Sequence, residues 1–468
     1  MIKDLNSYIG HLGKAGRLAK VGEESSTDLE ISAMTNLESR ERRHEARALL
    51  FERPSGYDMP VITNLMGSVS VLRGLFSSLN LPELISGIHG AGGMQMVKGA
   101  RALMDSRPKV TVRGMKGYER LGSLDELPVL RVWPKDAGKF ITLPLVITKS
   151  PKDGSTNVGI YRMQVHDGET TGMHWQAQKG GALHSLEAKD AGKMLNVSVA
   201  IGTDPYNIVA AVAPLPQGVN EFAFAGMARG TGTALMNCGE YPAVPANSEI
   251  VINGHVDPSE SRTEGPFGDH TGYYSIPEPA SVFHVDGIYS RKGAVYAASV
   301  VGFPWNEDAV AGQFLMDYLK PMIRLVNGSI TDIYLPPEGS FTNMCFISVK
   351  KRFPGDAKKA MFSVLGLGQL SVIKMLVAFD EDVDIRDMGS VMWAMSSRID
   401  PDRDVQVLKG TPTDTLDHAA GLPAYGSKIL IDATKKSAGE GYGRKWPEVI
   451  SLSKELADEA ERKWRRIR

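Results

Sequence analysis

The segment Thr263-Glu264-Gly265-Pro266-Phe267-Gly268-Asp269-His270-Thr271-Gly272-Tyr273-Tyr274 sets two carboxylates and an imidazole around a Gly-Pro turn. No helix and few strands accommodate it, because Gly265 and Gly268 allow backbone angles barred to other residues and Pro266 fixes its own. Glu264 and Asp269 can therefore be aimed into one cavity instead of alternating across a strand. A pair so placed can divide its labour: one acid stays ionised against a cation, and the other, less solvated, carries a proton near neutral pH as a general acid. The same composition also suits a tight surface turn with two solvated acids.

Three other places offer partners. In Asn157-Val158-Gly159-Ile160-Tyr161-Arg162 an amide and a guanidinium fall on opposite faces of a regular strand unless a bulge intervenes. The helical segment Val219 to Gly226 carries Glu221 into apolar surroundings, a placement that asks for a cation or a metal. In Tyr425-Gly426-Ser427-Lys428 the lysine can meet a phosphate. The acids Asp380, Glu381, Asp382 and Asp384 match no calcium-loop spacing and read as a solvated loop.

The elements that must position these residues follow from periodicity. Leu5, Tyr8, Ile9 and Leu12 mark a helix over 4 to about 15, and 48–51, 60–64 and 70–79 read as strand, strand and helix of an α/β opening domain. The glycines Gly87, Gly90, Gly92 and Gly93 lack a Walker lysine or a GxGxxG spacing. From about 115 to 302 strands and turns alternate, indicating an antiparallel sheet or barrel, with Val282–Tyr289 expected to pair with Ala294–Val301. Asp204 and Pro205 open a short helix within it. A helix over 309–326, which Pro321 should kink or break, bridges to strand-helix alternation over 341–407, the rhythm of parallel βαβ units. A basic helix over about 447–467 follows, with its cations at the C-terminal end. The resulting division is 1–114, 115–302, 303–340 as a linker helix, and 341–468.

The 468 residues, 42% of them hydrophobic, provide for about two or three buried cores. A formal net charge of -1 gives no general pull toward nucleic acid or anionic lipid. Cys238 and Cys345 are too few for a disulfide framework or a cysteine zinc site. With no apolar run near the roughly 18 residues that span a bilayer, and no signal-peptide core at the start, the expected compartment is the cytoplasm.

Taken together, Asn157 to Arg162, Pro214-Leu215-Pro216, Glu221, the Glu264 to Tyr274 block, Leu335 to Gly339, and Gly426-Ser427-Lys428 with Asp432-Ala433-Thr434 closely resemble the UbiD family of reversible decarboxylases, over nearly the whole chain. The resemblance implies an N-terminal α/β domain, a central split β-barrel like that of flavin reductases, and a C-terminal α/β domain with a terminal helix. It implies non-oxidative decarboxylation of an aromatic, heteroaromatic or α,β-unsaturated acid with prenylated FMN, made by a flavin prenyltransferase. Arg162 and Glu264 would form an ion pair beside the flavin, and Asp269 would be the proton donor, its pKa drawn toward neutrality. Asn157, Ile160, Arg162, Gln178, Lys179, Pro214, Glu221 and Lys428 would bind the cofactor, and Asn157 and Glu221 a divalent metal, manganese or magnesium, with potassium nearby. The family's third metal ligand is a histidine; Gln178, or Lys179 on an alignment shifted by one, stands in its place, the lysine then neutralising phosphate directly in place of the metal, and His174 or His184 would be the substitutes. A homo-oligomer, dimer or hexamer, is implied. An FMN-binding flavin reductase-like protein and a non-catalytic subunit of a carboxylase complex are the alternatives.

Overall fold

A computed structural model describes residues 2–78, 104–176, 179–215 and 218–467. The glycines at 87, 90, 92 and 93, together with Leu79, Gln178 and Pro216, lie outside the described residues.

The opening helix, Leu5–Lys14, is capped by the Asp4 carboxylate, which accepts from the Ser7 N–H at 2.8 Å, and buries Leu5, Tyr8 and Leu12. It lies with a four-stranded sheet ordered Leu18–Ser25, Ala48–Pro54, Val61–Thr63, Tyr296–Ala298. That last strand overturns an expectation. Tyr296–Ala298 runs parallel to Val61–Thr63 instead of folding back on the strand before it, and Glu278–Arg291 pairs antiparallel with Ile250–Glu264. Tyr296, Ala297 and Ala298 are at most 1% exposed, and a run buried on both faces suits a covered parallel position better than a hairpin with one wet face.

The central region is a seven-stranded antiparallel sheet. Its order is Thr170–Met173, Glu278–Arg291, Ile250–Glu264, Leu195–Ile201, Leu145–Lys149, Thr156–Ile160, with Tyr118–Leu121 on Glu278–Arg291. Lys109–Arg113 joins a smaller sheet with Ala234–Cys238 and Tyr241–Pro245. One continuous apolar core runs from Leu5 and Tyr8 through Val197 and Phe283 to Phe314, so the opening and central regions fold around the same interior.

The helix Glu307–Val326 runs unbroken through Pro321. Proline in a helix interior costs about 3 kcal/mol, whereas each fully buried large apolar side chain returns roughly 1.5–3 kcal/mol. Phe314, Leu315, Leu319 and Ile323 are all buried, so packing outweighs the break. Phe314 and Leu315 join the first core, Met316 and Ile323 the C-terminal one, and the helix thereby ties the two bodies together.

Ile330–Tyr334, within the stretch read as a linker, opens the five-stranded C-terminal sheet, ordered Ile330–Tyr334, Met344–Val349, Met375–Asp380, Tyr425–Asp432, Val405–Pro412. The three middle strands are parallel; both edges are antiparallel, including Val405–Pro412, which the βαβ rhythm had placed parallel. The helices Asp356–Leu365 and Met388–Arg398 supply apolar clusters on this sheet. The final helix, Lys454–Arg465, buries none of its residues. Among the described residues no helix is long and apolar enough to cross a membrane.

Candidate active site

Arg162 stands in the gap between the strands Thr156–Ile160 and Met163–Gln164. The interruption removes the alternation that would have turned it away from its partners. Glu264 is the last residue of the long strand Ile250–Glu264, and the chain then turns at Gly265, whose φ of +91° favours glycine. Gly268 has no room for a side chain, since a Cβ there would lie 2.2 Å from Trp133 Cδ1. Two distant side chains hold the turn: Gln164 Oε1 accepts from the Gly265 N–H and Asp136 Oδ1 from the Gly268 N–H, each at 2.8 Å. Asp269 is thereby aimed back at Arg162.

The guanidinium joins both acids. Arg162 Nε and Nη2 donate to Glu264 Oε1 and Oε2 at 2.8 and 2.9 Å, and Nη1 donates to Asp269 Oδ2. Nη2 also reaches Ser275 Oγ at 3.3 Å, and the ring of Phe267 lies 5.0 Å below the guanidinium carbon. His174 Nδ1 is 3.2 Å from Glu264 Oε2. The side chains of Arg162, Glu264 and Asp269 are 9%, 0% and 10% exposed, so the cluster is nearly sealed from water.

Burial alone would raise the pKa of Glu264. The hydrogen bonds from His174 and Arg162, and their charges, override it and hold this carboxyl at about 2. Asp269 departs from expectation. Burial again acts to raise it, but the hydrogen bond and charge of His270 and the charge of Arg162 hold it well below the usual carboxylate range instead of near neutrality. His270 Nδ1 sits 2.8 Å from Asp269 Oδ1, an interaction that spacing in the turn did not disclose.

A second corner forms around the strand Thr156–Ile160, against which the helices Gly180–Asp190, Pro205–Val212 and Glu221–Arg229 all pack. Asn220 caps the last of these, accepting from the Ala223 N–H at 3.0 Å, which fixes Glu221 in the first turn. The Val158 backbone amide acts on the Glu221 carboxylate, which lies beside Asn157, yet among the described residues Glu221 Oε2 is buried with no hydrogen-bond partner. Burial raises this carboxyl to about 7. Asn157 Nδ2 donates to the Tyr161 hydroxyl at 3.3 Å, and the Gly181 N–H donates to the same oxygen at 3.2 Å. A Cβ on Gly180 would lie 2.1 Å from Asn157 Oδ1, so the bare start of the helix Gly180–Asp190 abuts the amide. Ile160 and Pro214 are half-buried nearby in the chain, as is Lys179, whose pKa burial lowers against the opposing charge of Asp414.

This corner has the properties a phosphate-bearing cofactor with a divalent cation needs. Among the described residues the buried Glu221 oxygen has no hydrogen-bond partner, Asn157 adds a neutral oxygen, and a helix N-terminus with glycines and Lys179 suits an anion. His174 and His184 do not join it: His174 binds Glu264, and the buried His184 Nδ1 lies 2.8 Å from Thr148 Oγ1. Lys428, expected to meet a phosphate, instead donates to the carbonyls of Ile373 and Pro412, where it pins the loop that follows Pro412. The acids Asp380 and Asp382 pair with Arg398, and Asp382 also with Lys435.

Family models match the chain in three consecutive parts. The UbiD core, described as the 3-octaprenyl-4-hydroxybenzoate carboxy-lyase Rift-related domain, matches residues 108–304, and the corresponding N-terminal and C-terminal domains match 9–86 and 310–433. An uncharacterized protein of Archaeoglobus fulgidus is 45% identical over 477 residues, covering 100% of this chain and 98% of its own. The UbiD-class enzyme HmfF of Pelotomaculum thermopropionicum, solved with FMN, superposes with a TM-score of 0.80 at 27% identity over 97% of this chain and 99% of that one. Its evolved dimeric form, solved with prFMN, gives 0.77 at 26% over 98% and 100%. Vanillic acid decarboxylase of Sedimentibacter hydroxybenzoicus in its closed form gives 0.85 at 25% over 99% of both chains.

Proposed function

The chain belongs to the UbiD family and is a carboxy-lyase; from that premise we propose that it removes carbon dioxide reversibly from an aromatic, heteroaromatic or α,β-unsaturated carboxylic acid with the aid of prenylated FMN. The observation that carries this reading is the Arg162 guanidinium held between two sealed carboxylates.

Asn157 and Glu221 would hold a divalent cation, manganese or magnesium, at the cofactor's phosphate, with Lys179 and the start of the helix Gly180–Asp190 beside it. When bound, the prenylated flavin supplies the electron sink for the pair left behind by the departing carboxylate. The protein supplies position, charge and the proton.

A guanidinium keeps its proton at any working pH, so Arg162 both fixes Glu264 as an anion and offers its remaining donors to a substrate carboxylate. That substrate would compete with Asp269 for Nη1. Losing this hydrogen bond and gaining a negative neighbour both raise the pKa of Asp269, so substrate arrival itself converts Asp269 from an ion-pair partner into an acid. As the carbon–carboxyl bond breaks and carbon dioxide leaves, Asp269 gives its proton to the carbon that carried it, and one proton from water is consumed per turnover. In the reverse direction Asp269 removes that proton.

Protein made with and without a flavin prenyltransferase, then compared by absorbance and mass spectrometry, tests the cofactor. Carbon dioxide release from a panel of aryl and acrylic acids tests the reaction. Turnover by the prenylated form alone is expected; turnover with unmodified FMN, or none with any acid despite bound prenylated FMN, overturns the reading.

A further inference from the structure

We propose that His270 is a positioning residue that stores the proton Asp269 delivers, and that Thr342 and Asp414 of the C-terminal domain hold its outer nitrogen for that task. This rests on the reading of Asp269 as proton donor.

The hydrogen-bond geometry accommodates a doubly protonated ring. Nδ1 faces a carboxylate oxygen, Asp269 Oδ1, at 2.8 Å, and that oxygen also accepts the His270 backbone N–H at 2.7 Å. Nε2 lies 3.2 Å from Thr342 Oγ1, and that hydroxyl donates its own proton to the Ser340 carbonyl at 2.9 Å. With its proton on that carbonyl, Oγ1 is free to accept from Nε2. In that arrangement both ring nitrogens meet acceptors, and Asp269 and Asp414 stand on either side of the ring, which the imidazolium satisfies.

The surroundings agree. Asp414 Oδ2 is 3.9 Å from Nε2, the Phe341 ring lies 5.3 Å away, and the side chain is 12% exposed. The charged and titratable groups facing it are Asp269 on its own loop, Asp308 from the first turn of the helix Glu307–Val326, and Asp414 from the C-terminal domain. Arg162 lies beyond Asp269, and Lys179 opposes Asp414. Burial alone would disfavour the imidazolium, but the bond to Asp269 and the charges of the three acids raise its pKa. Burial lifts Asp308 itself to about 6.

In the step itself, the Nδ1–H bond of His270 breaks as an O–H bond forms on Asp269 Oδ1. Asp269 then passes a proton to the substrate carbon, and a proton from water restores the imidazolium. No oxidant or reductant enters. Both groups at the outer nitrogen, Thr342 and Asp414, belong to the C-terminal domain, so the store is full only where that domain meets the turn.

The test uses the full chain labelled with 13C-histidine, and the holoenzyme with 4-hydroxybenzoic and cinnamic acids as first probes. The resonance missing in His270→Asn assigns His270. It is expected to titrate above the ordinary histidine value of about 6.5, and to fall in Thr342→Val. His270→Asn is expected to lower kcat by about 10²-fold with KM nearly unchanged, and added imidazole to restore turnover in proportion to its protonated fraction. Because the imidazolium is lost as pH rises through its raised pKa, wild-type kcat should fall on the alkaline side, and Thr342→Val should move that limb to lower pH. A neutral His270 at pH 7 in the wild type overturns the inference, as does an alkaline limb unmoved in Thr342→Val should His270→Asn not fold. Wild-type turnover in His270→Asn beside an inactive Asp269→Asn overturns it while leaving Asp269 as donor; wild-type turnover in Asp269→Asn overturns the underlying reading.

Discussion

Glu264 and Glu221 are two glutamates withdrawn from water around the same central sheet, one at the end of a strand and one in the first turn of a helix. Burial pushes both toward the neutral acid. Glu264 nevertheless rests at about 2 and Glu221 at about 7. Glu264 carries its cation within the chain, since Arg162 meets both its oxygens and His174 adds a third contact. Glu221 has only the pull of backbone amides, its own and that of Val158, and among the described residues its buried Oε2 has no hydrogen-bond partner. On the proposed reading, the internally neutralised acid would meet substrate, and the other would receive a cation from outside.

The sharpest way to break this contrast is to remove the internal cation. Arg162→Ala leaves two sealed acids with only their His174 and His270 contacts, and is expected to abolish carbon dioxide release and to cost about 3–5 kcal/mol in denaturant unfolding. Next in size, Asp269→Asn should lower kcat by about 10²–10⁴-fold while the flavin absorbance of the bound cofactor is unchanged.

The pH dependence of stability comes third. The folded pKa of Glu264 lies below its unfolded value of 4.5, so its contribution is fully present above about pH 4.5 and is lost as pH falls toward 2. A shift of that size corresponds to about 3 kcal/mol, and Glu264→Gln should flatten this part of the urea-stability profile. For Glu221 the counterpart is an external ligand. Manganese at about a hundredfold over its dissociation constant should stabilise the wild type by roughly 2.7 kcal/mol, and Glu221→Gln should remove that gain in thermal unfolding. The smallest effect belongs to Lys435→Ala in the C-terminal domain. It breaks a half-exposed pair with Asp382, and should change stability by under about 1 kcal/mol and leave turnover untouched.

What could be read from the chain follows how local its causes are. The turn at Gly265 and the cap at Asp204, whose carboxylate accepts from Tyr206 and Asn207, are dictated by neighbouring residues and were legible. Arg162 meets its partners where the strand breaks after Ile160, and not through the bulge that the spacing allowed for. The partner of Tyr296–Ala298 was not legible, because a fully apolar strand pairs wherever a buried edge is open, and that edge is Val61–Thr63 far back in the chain. The ionisation of Asp269 was not legible either. It depends on how the His270 ring is held, and Thr342 and Asp414 reach that ring only after the C-terminal domain is in place. Lys428 sits in a stretch that suits an anion, yet only the folded loop shows that two carbonyls already claim it.

The most direct measurement compares wild type and Glu264→Gln, each produced with a flavin prenyltransferase and matched for bound prenylated FMN by mass spectrometry, in carbon dioxide release from the acid the wild type turns over. The account predicts turnover in the wild type and a loss of about 10³-fold or more in the variant at equal cofactor content. Equal rates in the two would contradict it, because the ion pair at Arg162 would then have no part in the chemistry.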